Sequence, residues 1–335
     1  MISKKDIISI LKNYNTTLES LNACIDTSKG TEDIRLNYLV NDKYFLKLTN
    51  NLRYDDVFYD DMNELIKKYH SIGIYCPSLI RTNTNGLFMT YIIENTQFTC
   101  HLEEKSKFQV LCDNNESDYI FKHKVVEHLG ILASQYSNKD LSKIRSMWSI
   151  IELSLHDHDE DEKQQNFNLL CDALTRIRRQ NLVEKLTIMN IRARTNIKNV
   201  MNDLPQAVYQ GDLNESNLLI DEDGNFKGLI DFNMFGTEVN LNCFLNESMY
   251  YIEQRDFEDL SGKQIFEKMK NMQSSLLSCI TKHYLLSPDE EKILKDYNRV
   301  IFSSFFPNVY LMVKLIEKGV FIDKIEDFLN ELLHY

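Results

Sequence analysis

The sequence is poor in the residues that cross-link a chain or anchor it in a membrane. Its 335 residues include 4 prolines, 10 glycines, 1 tryptophan and 7 cysteines. The cysteines are scattered, odd in number and without a Cys-x-x-Cys pair, so neither a disulfide framework nor a zinc site is indicated. The N-terminal residues lack the apolar stretch of a signal peptide or membrane span. We therefore expect a reduced, cytoplasmic protein that does not interact with a membrane.

The sequence also has fewer basic than acidic residues. The formal net charge is -12, from 38 Lys and Arg against 50 Asp and Glu, and the pI is about 5.2. Such a chain repels phosphate backbones, which excludes nucleic acid as the expected partner and fits a neutral or cationic substrate better. Hydrophobic residues make up 43% and charged residues 26%, which is typical of an ordinary globular protein. Function must therefore be read from local motifs.

The first ninety or so residues alternate between helical and strand periodicity. Apolar positions predict an opening amphipathic helix within 3–22 and a β-hairpin over 33–49. A second helix is predicted over 55–72, followed by strand-like runs at 78–82 and 87–93 that flank an Asn-Thr-Asn-Gly turn. The order strand, strand, helix, strand, strand predicts a small lobe over residues 1–94.

The remainder of the chain, residues 95–335, has mostly helical periodicity. Strand character is lost from about residue 97, and the predicted helices are 119–136, 139–155, 163–180, 182–202 and several between 245 and 335. One β-hairpin interrupts them, with strands at 217–221 and 226–232 around an Asp-Gly turn. We therefore predict a larger, mostly helical second lobe.

Three oxygen-bearing side chains surround this hairpin. Antiparallel pairing sets Asn217 across from Ile230 or Asp231, so an amide and a carboxylate meet at one end of the ribbon, while Asp212 lies on the loop leading in. One carboxylate plus one amide suits Mg²⁺ bridging triphosphate oxygens, and a separate Asp can accept a hydroxyl proton. Each residue alone is typical of a turn or cap; their joint spacing favours the catalytic interpretation.

These motifs resemble a known family. Gly211-Asp212-Leu213-x-x-x-Asn217, a hairpin and then Ile230-Asp231-Phe232 look like the signature of the aminoglycoside phosphotransferase and choline kinase superfamily. The segments 129–133 and 73–77 resemble the helix before the catalytic loop and the link out of the small-lobe helix. The resemblance covers roughly residues 30–260 and implies an α+β, two-lobed, protein-kinase-like fold.

The resemblance also implies roles for individual residues. Asp212 is the expected catalytic base, Asn217 and Asp231 the magnesium ligands, and Lys47 the contact to the α and β phosphates. A phosphate-binding lysine of this kind pairs with an acid on the following helix, and both Asp61 and Glu64 have suitable spacing. The sequence leaves the choice between those two acids open.

Further nucleotide contacts are implied by the fold alone. Adenine is expected against a hinge after the fifth strand, near Tyr91, Ile93 and Glu94. The sequence departs from the family at Gln210, where His is usual, and an amide able to donate and accept is expected to replace it in orienting the catalytic loop. The only candidate for a glycine-rich phosphate loop is residues 28–31.

Other acids follow the metal-binding motif and are candidates to supply negative charge to a substrate site. They are Glu238, Glu247, Glu253 and Asp256. Acids on a helical surface are more often simply solvated, so the sequence alone assigns none of them.

The expected function is Mg²⁺-dependent transfer of the γ-phosphate of ATP or GTP to a hydroxyl of a small molecule. Candidate acceptors are aminoglycosides, choline, other amino alcohols and sugars. Two alternatives stay open: a kinase acting on protein in stress or spore physiology, and a degenerate nucleotide-binding module without catalysis. The oligomeric state is not predicted.

Overall fold

The computed structural model describes residues 2–28, 33–51, 53–111 and 119–335. Its strands are β1 (Leu21–Asp26), β2 (Arg35–Val40), β3 (Tyr44–Thr49), β4 (Leu79–Ile80), β5 (Met89–Ile93), β6 (Thr96–Glu104), β7 (Gln109–Val110), β8 (Gln206–Tyr209), β9 (Leu218–Ile220), β10 (Phe226–Leu229) and β11 (Gly236–Val239). Its α-helices are α1 (Lys4–Lys12), α2 (Asp56–Ser71), α3 (Tyr119–Tyr136), α4 (Glu162–Arg176), α5 (Gln180–Val200), α6 (Asn240–Glu247), α7 (Gln254–Asp259), α8 (Gly262–Thr281), α9 (Pro288–Ser304), α10 (Phe306–Glu317) and α11 (Ile322–His334).

The chain divides into two compact units. The first unit comprises Met1–Asp113 with Asn214–Phe232, and the second comprises Asn114–Leu213 with Asn233–Tyr335. The predicted small lobe ends at residue 94, before the end of the first unit, and the β9–β10 hairpin belongs to that unit although it lies far along the chain. The candidate site residues are therefore divided between the two units.

An antiparallel sheet forms the centre of the first unit. Its strand order is β1-β2-β3-β6-β4, and β5 also pairs with β6. The predicted hairpin over 33–49 is confirmed as β2 and β3, which pair from Arg35↔Thr49 to Val40↔Tyr44. Apolar side chains of the sheet pack with α1, where Ile7, Ile10 and Leu11 are at most 1% exposed. This packing buries one apolar stripe of a short amphipathic helix.

Strand β6 contradicts the predicted loss of strand character after residue 97. It pairs with β3, β4 and β5, and five consecutive residues in its middle are buried. A central strand buried on both faces does not alternate between apolar and polar residues, which explains why its periodicity was not visible. Glu94 and Asn95, with φ values of 48° and 70°, close a tight turn between β5 and β6. The sheet therefore continues past the predicted boundary at residue 94.

The N-terminal segment also differs from its prediction. Helix α1 ends at Lys12 instead of extending toward residue 22, and β1 begins at Leu21 and pairs with β2. The predicted helix over 55–72 is confirmed as α2, whose Asp55 N-cap accepts a hydrogen bond from Phe58 N at 3.0 Å. The candidate phosphate loop at 28–31 lies outside the described residues from position 29 onward.

The hairpin over 217–232 is confirmed. Strands β9 and β10 pair with Leu218 opposite Leu229, and Ile230 N donates to Asn217 O at 3.0 Å, so Asn217 lies across from Ile230 as predicted. Gly228 allows the strand to approach Tyr75, because a Cβ at this position would lie 1.9 Å from the Tyr75 carbonyl oxygen.

Helices packed around one large core make up most of the second unit. Phe266 lies at the centre of an aromatic group, with ring centroids 5.9 Å from Phe302 and 5.6 Å from Phe328. The prediction of a helix over 139–155 is wrong. This segment is irregular and lies alongside β11, with which it forms backbone hydrogen bonds. Thr237 N donates to Ile144 O at 2.8 Å, and Ser146 N donates to Thr237 O at 3.2 Å. Backbone groups committed to such contacts are not available for helical hydrogen bonds.

Membrane-spanning potential is weak among the described residues. No single helix in that part of the chain is both long and apolar enough to cross a bilayer. The pair Pro288–Ser304 and Phe306–Glu317 meets the length and composition requirement only when combined across a 44° bend.

Candidate active site

Lys47 forms an ion pair inside the first unit. Strand β3 lies beside β6 with Lys47 opposite His101, and Lys47 Nζ lies 2.8 Å from Glu103 Oε1. The two side chains are only 21% and 15% exposed, so the pair is largely withdrawn from solvent. Neighbouring antiparallel strands thus hold a lysine and a carboxylate in a fixed register.

The positive charge of Lys47 does not balance the negative charges that surround this ion pair. Burial lowers the pKa of Lys47, but the negative charges of Glu103 and Asp231 outweigh it and raise the pKa above its usual value. Burial raises the pKa of Glu103, Lys47 opposes this effect, and the charge of Asp231 adds to it. Two carboxylates therefore act on one ammonium group, which leaves an excess of negative charge.

The partner of Lys47 differs from the sequence prediction. An acid on α2, Asp61 or Glu64, was expected, but Lys47 is paired with Glu103 on β6. Glu64 is 59% exposed and forms its ion pair with Lys67, at 2.6 Å on the same helix. Asp61 lies partly buried on α2. Sequence reasoning missed Glu103 because it did not recognise β6 as a strand.

Asn217 and Asp231 lie at the same end of the β9–β10 hairpin, the end away from its turn, because Asn217 precedes β9 and Asp231 follows β10. Asn217 closes a short 3₁₀ turn before β9 and is 5% exposed. Asp231 follows β10 with a φ of 57°, in the left-handed region that Asp tolerates better than most residues. Such conformations occur at functional sites, where the surrounding structure holds them.

These residues fit a divalent cation of the magnesium type. Carboxylate and amide oxygens are hard donors, and Mg²⁺ commonly takes only one or two protein ligands, with water and phosphate oxygens completing its shell. The excess negative charge around Lys47 also favours the binding of a divalent cation. Within the described ranges, no three His, Cys, Asp or Glu side chains are grouped as metal ligands. The donor set therefore favours a site shared with a phosphate ligand.

The motif predicted as the catalytic loop is fixed within the second unit by a hydrogen bond and by a close backbone approach. Gln210 is fully buried, and its Oε1 accepts a hydrogen bond from Asp212 N at 2.7 Å. Gly211 has a φ of 82°, and a Cβ there would lie 2.3 Å from Met234 O, so only glycine fits. Gln210 thus contacts the loop through its amide, the geometry expected of a residue that positions Asp212.

Glu247 is a titratable group near Asp212 that the sequence did not assign. Burial raises its pKa to about 7, the charge of Lys122 opposes that rise, and the charge of Asp212 contributes to it. Its Oε1 accepts a hydrogen bond from Trp148 Nε1 at 3.1 Å. The irregular segment that carries Trp148 was predicted as a helix, so its approach to α6 had no sequence signal.

The other acids of this region have different surroundings. Glu238 is 4% exposed and accepts hydrogen bonds from the hydroxyls of Ser146 and Ser149 at 3.1 and 3.0 Å. Asp256 caps α7 and pairs with Lys268 at 2.6 Å. Both carboxyl groups therefore hold the protein's own backbone and side chains in place.

The residues predicted to contact adenine do not lie at a hinge. Tyr91 and Ile93 belong to β5, and Glu94 lies in the tight turn to β6. The chain leaves the sheet only after β6, where Lys105 N donates to Lys43 O at 2.7 Å. The premise that the fifth strand ends the sheet is therefore wrong, and a hinge of this kind would follow Glu104.

Comparisons with known proteins agree on the architecture. The sequence matches no protein-family model and no curated protein. Among solved structures, an aminopropanol kinase associated with a microcompartment is 11% identical, with a TM-score of 0.56 over 94% of this chain and 94% of that chain. A spectinomycin phosphotransferase solved with ADP and spectinomycin is 13% identical, with a TM-score of 0.51 over 100% and 99%. The chain has the fold of small-molecule kinases.

A further structure with this kinase fold is an amicoumacin kinase solved with AMP-PNP and Ca²⁺. It is 13% identical, with a TM-score of 0.50 over 89% of this chain and 88% of that chain. The predicted α+β kinase-like fold class is confirmed, and the resemblance to aminoglycoside phosphotransferases and related kinases holds at the level of fold. At these identities the fold alone is established, since one fold can host many activities.

Proposed function

We propose that this protein is a phosphotransferase that moves the γ-phosphate of a nucleoside triphosphate, ATP or GTP, to a hydroxyl group of a small molecule. The observation that carries the proposal is the charge pattern around Lys47, where two carboxylates, Glu103 and Asp231, act on one ammonium group. In a chain with a kinase fold, that pattern suits a site for a metal-bound triphosphate.

Each candidate residue then has a distinct role. Lys47 would bind the α and β phosphates, and Asn217 and Asp231 would hold Mg²⁺. The metal, when bound, would supply positive charge to the phosphate oxygens as charge builds up on them. Asp212, on the loop contacted by Gln210, would accept the proton of the acceptor hydroxyl.

The reaction is an in-line displacement at phosphorus. The acceptor oxygen forms a bond to the γ-phosphorus while the bond from this phosphorus to the bridging oxygen breaks, and the nucleoside diphosphate leaves. The hydroxyl proton passes to Asp212. Candidate acceptors are aminoglycosides, amino alcohols and sugars, and the similar structures include an aminopropanol kinase and a phosphotransferase solved with spectinomycin.

The direct test measures nucleoside diphosphate release with a panel of alcohols. We expect release that requires Mg²⁺ and an acceptor, and that falls about a thousandfold in Asp212→Ala, because a positioned base contributes about 10² to 10⁴ in rate. The matched control is Asp203→Ala, which removes an exposed acid from the same region. Equal release by the wild type and Asp212→Ala, with both folded, would contradict the assignment.

A further inference from the structure

Helix α2 contacts the central sheet of the first unit through Tyr59. The ring of Tyr59 is stacked on Phe88, with centroids 4.6 Å apart, and its hydroxyl oxygen lies 3.1 Å from His101 Nδ1. Tyr59 is 1% exposed and His101 is 8% exposed, so this hydrogen bond is removed from water. A hydrogen bond in such surroundings is electrostatically stronger than one in water. It therefore fixes the orientation of the His101 ring relative to α2.

His101 lies beside the ion pair of Lys47 and Glu103. It is opposite Lys47 on the neighbouring strand and two residues before Glu103 on β6, so the three side chains project from the same face of the sheet. His101 Nε2 lies 4.0 Å from Glu103 Oε2. The other oxygen of that carboxylate, Oε1, lies 2.8 Å from Lys47 Nζ. The contacts therefore run from Tyr59 on α2 through His101 and Glu103 to Lys47.

The imidazole of His101 is neutral and carries its proton on Nε2. Burial lowers the pKa of His101 to about 3, and the positive charge of Lys47 adds to this effect. Burial also raises the pKa of Tyr59 well above its usual value, so its hydroxyl stays protonated and donates to Nδ1. If Nδ1 carried the proton instead, Nε2 would direct a lone pair at the carboxylate of Glu103. The Nε2–H group therefore faces Glu103 Oε2 with its positive end.

We propose that His101 is a positioning residue for Lys47, the lysine proposed to bind the phosphates. Its Nε2–H group, oriented by Tyr59, keeps the carboxylate of Glu103 in contact with the ammonium group. Helix α2 thus acts on the nucleotide site through a neutral histidine, while the ion pair itself is formed between two strands of the sheet. This inference rests on the proposed function and specifies how its nucleotide site is held.

The first test measures the tautomer of His101 by ¹⁵N NMR of histidine-labelled protein without nucleotide. The chain has 8 histidines, and the signals of His101 are those that disappear in His101→Gln or His101→Asn. From about pH 5 to pH 8 we expect a neutral ring protonated at Nε2, whose other nitrogen accepts a hydrogen bond that is lost in Tyr59→Phe. A ring protonated at Nδ1, or at both nitrogens, in that range would overturn the inference.

The second test separates the two nitrogens of the ring. The amide nitrogen of a glutamine reaches about as far as Nε2 and can donate to Glu103, whereas an asparagine reaches only as far as Nδ1 and can accept from Tyr59. In calorimetric titration with MgATP, we expect His101→Asn to bind about fivefold more weakly than the wild type, which corresponds to the net value of one polar contact. His101→Gln should recover most of that loss. Equal affinities of the two variants, or weaker binding by His101→Gln, would overturn the inference.

A double-mutant cycle shows whether the effect of His101 passes through Glu103. In the Glu103→Gln background we expect His101→Asn to leave the MgATP affinity unchanged, because the carboxylate that the histidine holds is already absent. A fivefold loss in both backgrounds would overturn the inference.

The matched control is His70→Gln, which changes an exposed histidine of α2 whose ring is hydrogen-bonded to Cys76 O. This variant should bind MgATP as the wild type does. A wild type that binds MgATP with an affinity that His101→Asn does not change would contradict this inference and leave the proposed function standing. A wild type that does not bind MgATP would overturn the proposed function together with this inference.

Discussion

The surroundings of Lys47 in the first unit and of Glu247 in the second both contain lysine and carboxylate side chains. The two places differ in what those side chains contact. Lys47 is in direct ionic contact with Glu103, at 2.8 Å, and a second carboxylate raises its pKa. Around Glu247 two lysines, Lys122 and Lys163, lie over aromatic rings, and the carboxyl group is bonded to an indole. The carboxylate of one cluster thus faces a lysine directly, while that of the other accepts a hydrogen bond from an indole.

This difference separates two kinds of chemistry. Excess negative charge next to Asn217 and Asp231 suits a divalent cation and the phosphates it accompanies. A carboxyl group with a pKa near 7 is instead suited to exchanging a proton near neutral pH. The following predictions test each side of the comparison.

The largest expected effect concerns the loop that carries Asp212. Gly211→Ala should destabilise the protein by more than about 3 kcal/mol, because the new Cβ would meet Met234 O at 2.3 Å in a backbone conformation that disfavours Cβ. Gly224→Ala is the matched control in the first unit, with a similar φ of 76° and no atom within 4 Å. It should cost about 1 kcal/mol in urea unfolding. Equal losses of stability in the two variants would show that the backbone φ, and not the contact with Met234 O, determines the cost.

The next effect concerns the protonation of Glu247. Its pKa rises from the usual 4.5 to about 7 in the folded state, so the folded chain binds this proton more firmly than the unfolded chain. Stability from this group is therefore lost as pH rises from 4.5 to 7. Glu247→Gln should be up to about 3 kcal/mol more stable than the wild type at pH 8 and similar to it at pH 4.

Urea unfolding at the two pH values measures this difference. Glu184→Gln, which changes an exposed acid on α5, should follow the wild type at both. A Glu247→Gln protein that is no more stable than the wild type at pH 8 would contradict the claim that an ionised carboxylate at this position destabilises the folded protein.

A smaller effect is expected at Lys47. Lys47→Met should weaken the binding of MgATP by at least about tenfold, because the ammonium group proposed to bind the phosphates is lost. Lys43→Met, an exposed lysine in the same β2–β3 hairpin, should bind as the wild type does. Thermal-shift titration with MgATP measures both variants, and similar shifts for the two would remove Lys47 from the nucleotide site.

Local patterns in the sequence predicted part of this structure well. The β2–β3 hairpin, helix α2 and the β9–β10 hairpin follow from alternation, helical spacing and an Asp-Gly turn. The position of Asn217 across from Ile230 follows from the register of that hairpin. These features depend on neighbours along the chain, which a sequence displays directly.

Features that depend on tertiary surroundings were missed. Strand β6 is buried on both faces and lacks alternation, so Glu103 was not considered as the partner of Lys47. The segment that carries Trp148 has helical spacing but takes its hydrogen bonds from β11. Consequently, neither the ion pair of Lys47 nor the contact between Trp148 and Glu247 could be predicted, because the residues involved are brought together only by folding.

Calorimetric titration with ATP, in the presence and absence of Mg²⁺, tests the nucleotide site most directly. We expect tight binding to the wild type only with Mg²⁺, and at least about tenfold weaker binding to Asp231→Asn, which removes the charge of the proposed metal ligand. The control Asp223→Asn, in the exposed turn of the same hairpin, should bind as the wild type does. Equal ATP affinity with and without Mg²⁺, or an unaffected Asp231→Asn protein, would contradict the phosphotransferase proposal.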